Sequence, residues 1–470
     1  MDDRFQGGDM HPALNAFPRG SLPVSFSSFC TLALCLLLAW IPTAAAIPVG
    51  AGRVDITPDY PIRLTGFAAR KTESTGAHTR LWARALAIGE GRDAAVLVTV
   101  DNCGVCSNVT EEVARRLARR LGVSRSRFAV SSSHTHTGPC ATGFAPNIFA
   151  QDIPPDQLAV IDRYTSFLTD GIEEAALRAF ANRRPARLFW NQGQVDFAGN
   201  RRTKGGPVDH SVPVLVARDD AGMPFAVLAN YACHCTTLGS EFNQTCADWA
   251  GFAREGVEAQ FPGMTALVSI GCGADSNPSP RGGADFGLAL SMNHGDSLAR
   301  EVGRLLALPG VELPQAPSCR FQRIELPYQP HFTREQWVDR STKPAITGHH
   351  ARRWLARIDR GESLPRSLPY AVQTWSFGDR LAMVFLAGEV VVDYSLRLKR
   401  ELDGARLWVT GYANDVPCYI PSRRILNEGG YEAVDSLWYY DRPAQLSPAV
   451  EELIVGAVKR SVPRAFASHP

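Results

Sequence analysis

Between residues 81 and 100 the apolar positions fall in two runs, 81–88 and 94–100, parted by glycines at 89 and 91. Short apolar runs bounded by turn residues predict a β-hairpin. Over 109–121 the period changes: Val113, Leu117 and Leu121 recur at helical spacing, with arginines on the opposite face. Arg127-Phe128-Ala129-Val130 returns to a strand pattern. Strand, helix, strand is the signature of a parallel pair joined by a crossover helix.

The same alternation runs to the end of the chain. Strands are predicted over 49–58 (with its turn), 186–194, 212–217, 224–231, 266–270, 319–326, 374–378, 381–386 and 408–412. Helices are predicted over 158–181, 248–260, 283–308, after Glu389 as far as Leu402, and over 448–462. Hairpins form around Asp219–Gly222 and Gly378-Asp379. Residues 309–317 read as a linker, and the polar stretch 332–360 as mixed helix and loop that could cover a site. The predicted fold is α/β, a mixed β-sheet core flanked by helices, with the site at the strand carboxyl ends.

Composition adds limits. The chain has 470 residues, 45% of them hydrophobic and 20% charged, with a formal charge of +2. It can bury a large core, and nothing in its charge suggests nucleic acid. The apolar run Thr31–Ile41 is short for a bilayer span and precedes Ala44-Ala45-Ala46. That arrangement predicts a signal peptide within an N-terminal extension, 1–46, cleaved after Ala46. The protein is then expected outside the cytoplasm, secreted or periplasmic; an uncleaved anchor is the alternative. Beyond the extension lie nine cysteines, an odd number that leaves at least one thiol free. Cys103-Gly-Val-Cys106 reads as a disulfide or as two buried thiols.

The candidate chemistry lies where predicted strands end. His134 and His136 follow Ser131-Ser132-Ser133, and at i and i+2 on an extended backbone they point to one side. His234 ends the strand 224–231, Glu389 follows 381–386, and Tyr419 follows 408–412. Asn200-Arg201-Arg202 lies in a loop, and Gly271–Pro278 is a glycine-rich turn holding Asp275 and Asn277. Two imidazoles and a carboxylate form a recurrent catalytic zinc set. Each piece alone is equally a hydrogen-bonded or solvated side chain.

Taken in order, these residues resemble the neutral ceramidase family. The matches are Gly52-Arg-x-Asp-Ile-Thr57, His134-Thr-His136-x-Gly138-Pro139, Asn200-Arg201, Tyr231-Ala-x-His234, Gly273-Ala-Asp275-x-x-Pro278, Gly388-Glu389, and Tyr419 with Tyr431. They cover essentially all of 47–470, which the resemblance makes one ceramidase-like catalytic domain. It implies a zinc-dependent hydrolase that cleaves the N-acyl bond of ceramide to sphingosine and a fatty acid. His134, His234, Glu389 and Tyr419 are the implied zinc ligands. His136, Arg201 and Tyr431 are implied to bind the oxyanion or transfer protons, with Asp275 and Asn277 also in the catalytic turn.

Two features depart from the family. Its turn carries a serine held to be needed for activity, where this chain has Asn277. An amide is no hydroxyl nucleophile, so water activated by the metal is the mechanism expected. Ceramidases also carry a C-terminal immunoglobulin-like domain, which this chain, ending at Pro470, is not expected to contain. The expected partner is a ceramide-like lipid, met at a membrane surface. The alternatives are a metal-dependent amidase or esterase acting on another N-acyl lipid, sugar or peptide, and a non-catalytic lipid- or carbohydrate-binding relative. A soluble substrate would predict a polar cleft in place of an apolar slot.

Overall fold

The computed structural model describes residues 46–283 and 286–467. The expected signal peptide therefore lies, up to residue 45, outside the described residues. The first half of the chain gives strands β1 (Ile47–Asp55), β2 (Trp82–Ile88), β3 (Ala95–Val100), β4 (Phe128–Ser132), β5 (Arg184–Gln194), β6 (Ala198–Asn200), β7 (Ser211–Arg218), β8 (Pro224–Tyr231) and β9 (Thr265–Ile270). Then come β10 (Ser276–Pro278), β11 (Val311–Leu313), β12 (Ser318–Pro327), β13 (Ser367–Phe377), β14 (Leu381–Leu386), β15 (Glu389–Val390), β16 (Leu407–Thr410) and β17 (Tyr419–Ile420). The larger sheet runs β4-β3-β2-β1-β5-β7-β8-β9, with β11 added against β5. The smaller is β12-β13-β14-β16, and β6 with β10 and β15 with β17 form two short pairs.

The two large sheets pack face to face. Alternate residues of each strand enter different layers, because successive side chains point to opposite faces. In β2, Leu86 and Ile88 join an apolar layer with Trp375, Met383, Phe385 and Trp408 of the smaller sheet. Ala83, Ala85 and Ala87 face the other way, against helices α1 (Ser107–Leu121) and α2 (Pro155–Ala181). Helices α3 (Asp248–Gln260) and α4 (Gly287–Leu306) cover Val216, Val227 and Val268 in the same manner. Strands buried on both faces read as continuous apolar runs. That is the pattern seen in 94–100 and 266–270.

Within the two large sheets three neighbouring strand pairs are parallel: β3 with β4, β8 with β9, and β14 with β16. A parallel pair needs a crossover, and each has a helix in it: α1, α3 and the helix Val392–Glu401. A buried ion pair at 2.8 Å between Arg254 and Asp101 fastens α3 to the end of β3. Residues 332–360 form two helices, Arg334–Ser341 and Ala345–Asp359, around a small core of Trp337, Ala351 and Trp354. No described helix is long and apolar enough to cross a membrane. Among the described residues all nine cysteines are free, so Cys103 and Cys106 are two buried thiols.

Candidate metal centre

The three parallel pairs and their crossovers bring loops from distant parts of the chain to one place. His134 and His136 follow β4, His234 follows β8, Glu389 follows β14, and Tyr419 lies on β17, just after β16. Main-chain hydrogen bonds knit these segments together: His136 N to Cys235 O at 3.2 Å, His234 N to Ser276 O at 2.9 Å, and Glu389 N to Cys418 O at 3.0 Å. Arg201 N donates to Asp275 O at 2.8 Å, which ties the arginine loop to the same edge.

One expectation about local geometry is corrected. The strand stops at Ser132, and His134 has a φ of 57°, in the left-handed region that a residue with a Cβ enters only when its surroundings hold it there. The two imidazoles still meet, with Nε2 atoms 3.1 Å apart. What brings them together is that turn and the bond to Cys235, not an extended backbone.

Both proposed ligand histidines are oriented from behind. His134 Nδ1 lies 2.6 Å from Cys103 O, and His234 Nδ1 lies 2.8 Å from Gly273 O. A carbonyl accepts only, so each Nδ1 carries its proton and each Nε2 presents a lone pair inward. Glu389 Oε2 stands 3.1 Å from His134 Nε2 and 3.3 Å from His234 Nε2. Tyr440 donates its hydroxyl to the other oxygen, Oε1. Oε2 itself is buried without a hydrogen-bond partner. Tyr419 Oη lies 3.4 Å from His234 Nε2.

These separations suit a metal. Ligands at about 2.0–2.2 Å in tetrahedral array stand about 3.3 Å from one another. Three buried lone pairs aimed at one point repel unless a cation or a proton lies among them. Without a cation, protonation of one imidazole relieves the repulsion. Burial disfavours the His134 cation, but Cys103 and Glu389 raise its pKa to about 10. Burial pulls His234 down to about 4, and the His134 cation adds to that. The two imidazoles hold Glu389 well below the usual carboxylate range although burial opposes it. The donor set therefore fits a divalent cation, which would take the place of that proton.

A cleft of about 800 Å³ lies beside the centre and reaches it through His136 and Tyr419, which touch His134 and His234. His136, Arg201, Tyr419, Tyr431 and Asn277 all line it. Arg201 Nε donates to Glu432 at 2.8 Å and its Nη2 to Tyr419 Oη at 3.2 Å. Its guanidinium also lies 5.4 Å from the centre of the Tyr431 ring. Asp275 is placed differently. Its carboxylate is buried behind the cleft, accepting from Val392 N at 2.8 Å and Asn200 Nδ2 at 3.2 Å. Burial raises its pKa to about 6. It ties together the segments that carry Glu389 and Arg201 and does not line the cleft, so it is a positioning residue. Residues 332–360 do not line the cleft either.

Several residues escaped the sequence reading. Tyr440, which holds Glu389, lies in an aromatic run, 438–440, with no distinguishing spacing. Glu432 pairs with both Arg201 and Arg202, and Arg281 and Phe67 complete the wall. Gly66 has a φ of 89° and abuts the His136 ring, where a Cβ would come within 2.5 Å of it. Its neighbour Phe67 meets that ring edge-on at 5.0 Å. Asn277 Oδ1 accepts from Thr236 Oγ1 at 3.4 Å. Asn277→Ala is expected to keep its metal and measurable hydrolysis. A folded, metal-loaded but inactive variant would give that amide an essential role.

Comparison with known proteins agrees with this picture. The family described as neutral/alkaline non-lysosomal ceramidase, N-terminal, matches residues 48–272. That match spans just under half of the chain. Neutral ceramidase of Oryza sativa subsp. japonica is 32% identical over 177 residues, covering 37% of this chain and 22% of the relative. Neutral ceramidase of Pseudomonas aeruginosa is 30% identical over 190 residues, covering 38% and 28%. The matches thus span well under two thirds of these ceramidases. The crystal structure of the Pseudomonas neutral ceramidase superposes with a TM-score of 0.70 at 19% identity, over 91% of this chain and 76% of that one. A structure titled "Ceramidase complexed with C2" gives 0.69 at 17% identity. At these identities the two structures establish a shared fold: mixed sheets flanked by helices, with no closed barrel.

Proposed function

We propose that the protein is a zinc-dependent amidohydrolase that cleaves an N-acyl bond, with ceramide as the reference substrate. The observation that carries this reading is the convergence of His134 Nε2, His234 Nε2 and the unpartnered Glu389 Oε2 beside a cleft. Those three residues and Tyr419 would hold the ion. When bound, zinc supplies Lewis-acid polarisation and a water that ionises near neutral pH.

The chain's own groups supply the rest. The Arg201 guanidinium, fixed by Glu432, offers donors where negative charge develops on the acyl oxygen. Tyr431 lines the same cleft, and its phenol, protonated at neutral pH, can donate to the same oxygen. Burial lowers the His136 pKa, and a bound cation beside it would act in the same direction, so its imidazole is neutral and could take up a proton and pass it to the departing amine. Tyr440 and the two backbone carbonyls keep Glu389 and the imidazoles from turning away.

A second reading gains from the cleft wall. Arg201, Arg202, Arg281, Thr203, Asn277, Glu428 and Glu432 make it largely polar, with Phe67 and the two tyrosines as its aromatic part. That composition favours an N-acyl compound with a more polar body than ceramide. We also propose export through the N-terminal extension, tested by whether the mature protein begins at Ile47.

The deciding experiment measures zinc content together with hydrolysis of a fluorescent ceramide and a panel of N-acyl amides, before and after chelation. One zinc per chain and chelator-sensitive release of fatty acid are expected. Full turnover in zinc-free protein would overturn the metal reading.

A further inference from the structure

Three arginines, Arg201, Arg202 and Arg281, line the cleft wall. Arg201 and Arg202 are neutralised by Glu432 and Glu428, at 2.8 Å from Arg201 to Glu432 and 3.1 Å from Arg202 to Glu428. Arg281 makes no ion pair with any described residue. It is nevertheless held in place, because backbone bonds pin the chain on either side of it: Ser279 N to Phe197 O at 2.7 Å and Gly282 N to Thr237 O at 2.8 Å. His294 Nε2, 2.8 Å from Pro280 O, adds a third tie. Beside it, Asn277 uses its oxygen to accept from Thr236, which leaves the amide NH₂ for an acceptor. A guanidinium carried on a pinned backbone and an amide donor lining one cleft, beside a candidate hydrolytic centre, form a receptor for an anion.

We propose that the substrate of this site is an N-acyl compound bearing an anionic group, a carboxylate or a phosphate, which Arg281 and Asn277 bind. This rests on the amidohydrolase reading for the reaction, but not for the binding. It also gives Asn277 a use: where the family carries a hydroxyl, this chain offers an amide that donates to an anion.

The test uses the full zinc-loaded chain and three probes that share a dodecanoyl group: N-dodecanoylglycine, neutral N-dodecanoylethanolamine, and the O-phosphate of the latter. Binding is measured by titration calorimetry. One or both anionic probes are expected to bind about tenfold or more tighter than the neutral one, the usual worth of a charge-assisted hydrogen bond. That preference should shrink as salt rises and collapse in Arg281→Gln, while Arg281→Lys keeps part of it. Arg281 is exposed, so both variants should fold; circular dichroism checks this. Tightest binding of the glycine conjugate assigns an N-acyl amino acid, and tightest binding of the phosphate a phosphorylated N-acyl amine. Equal affinity for charged and neutral probes, a preference that survives Arg281→Gln, or no binding of any probe would overturn the inference. Hydrolysis is read separately. Selective binding without turnover defeats the amidohydrolase reading alone, whereas turnover of ceramide without any charge preference defeats only this inference.

Discussion

His234→Ala is expected to leave the protein without zinc and to bring hydrolysis down to background. His234 is fully buried, and its Nε2 faces Glu389 Oε2 at 3.3 Å while Nδ1 is held by Gly273 O. Removing the imidazole takes away one of two nitrogen donors and leaves Glu389 and His134 as an ordinary ion pair. Added zinc should not restore activity, because a carboxylate and one imidazole bind the metal far more weakly than the full set. Metal analysis on the folded variant, beside His234→Gln to control for the cavity, decides the point. Normal zinc content with full activity would remove His234 from the centre. Loss of zinc with retained turnover would separate the metal from the chemistry.

Arg201→Met should have the next largest effect and of a different kind. The guanidinium touches two proposed ligands, Nη1 standing 3.4 Å from His234 Nε2 and Nη2 3.2 Å from Tyr419 Oη. It offers the ion no lone pair, so zinc should still bind and the loss should fall chiefly on turnover. Turnover should fall by about 10²–10³, the cost of removing one donor aimed at developing negative charge. KM should move less than kcat if the contact strengthens in the transition state. Arg201→Lys should recover only part, because an ammonium cannot bond Glu432 and Tyr419 at once with a planar fork. Stability should report the same loss with a defined pH dependence. Burial acts to raise the Glu432 pKa, but Arg201 and Arg202 hold it below the usual value. A carboxylate held low adds stability above its unfolded pKa of about 4.3, and that stability is lost as pH falls through the folded pKa. The stability gap between parent and Arg201→Met should therefore be present at pH 7 and shrink in acid. An unchanged gap at low pH would mean that the variant had lost packing, not charge pairing.

Sequence and structure each account for a different part of this site, for physical reasons. Period-2 and period-3.6 patterns are local, and they carried the strands and helices well: the pattern over 248–260 became α3 without change, and 381–386 became β14. The residues of the centre were visible because imidazoles and a carboxylate recur where apolar runs stop. The conformation of His134 was not visible, because a left-handed residue there depends on bonds made by Cys103 and Cys235, which belong to other segments. Nor was the fate of 332–360, whose polar surface hides a core of its own formed by Trp337 and Trp354. Asp275 sits in a motif beside catalytic candidates, yet its carboxylate turns away to the backbone of Val392.

By itself, then, the chain's order of residues determined the longer strands and helices, their α/β class and the chemical types gathered at the strand ends. Those follow from side-chain size, branching and alternation over a few residues. Short strands were not determined in this way: β11 lies inside the expected linker 309–317. The strand-helix-strand pattern already implied the parallel pair of β3 and β4, but only the tertiary structure decided the full strand order, and hence which loops meet. It also decided that Tyr440 braces Glu389, that Glu432 neutralises Arg201 and Arg202, and that Arg281 is left facing the cleft without a carboxylate partner among the described residues. Such pairings join residues up to hundreds of positions apart, and their strength depends on distance and burial, which no local pattern encodes.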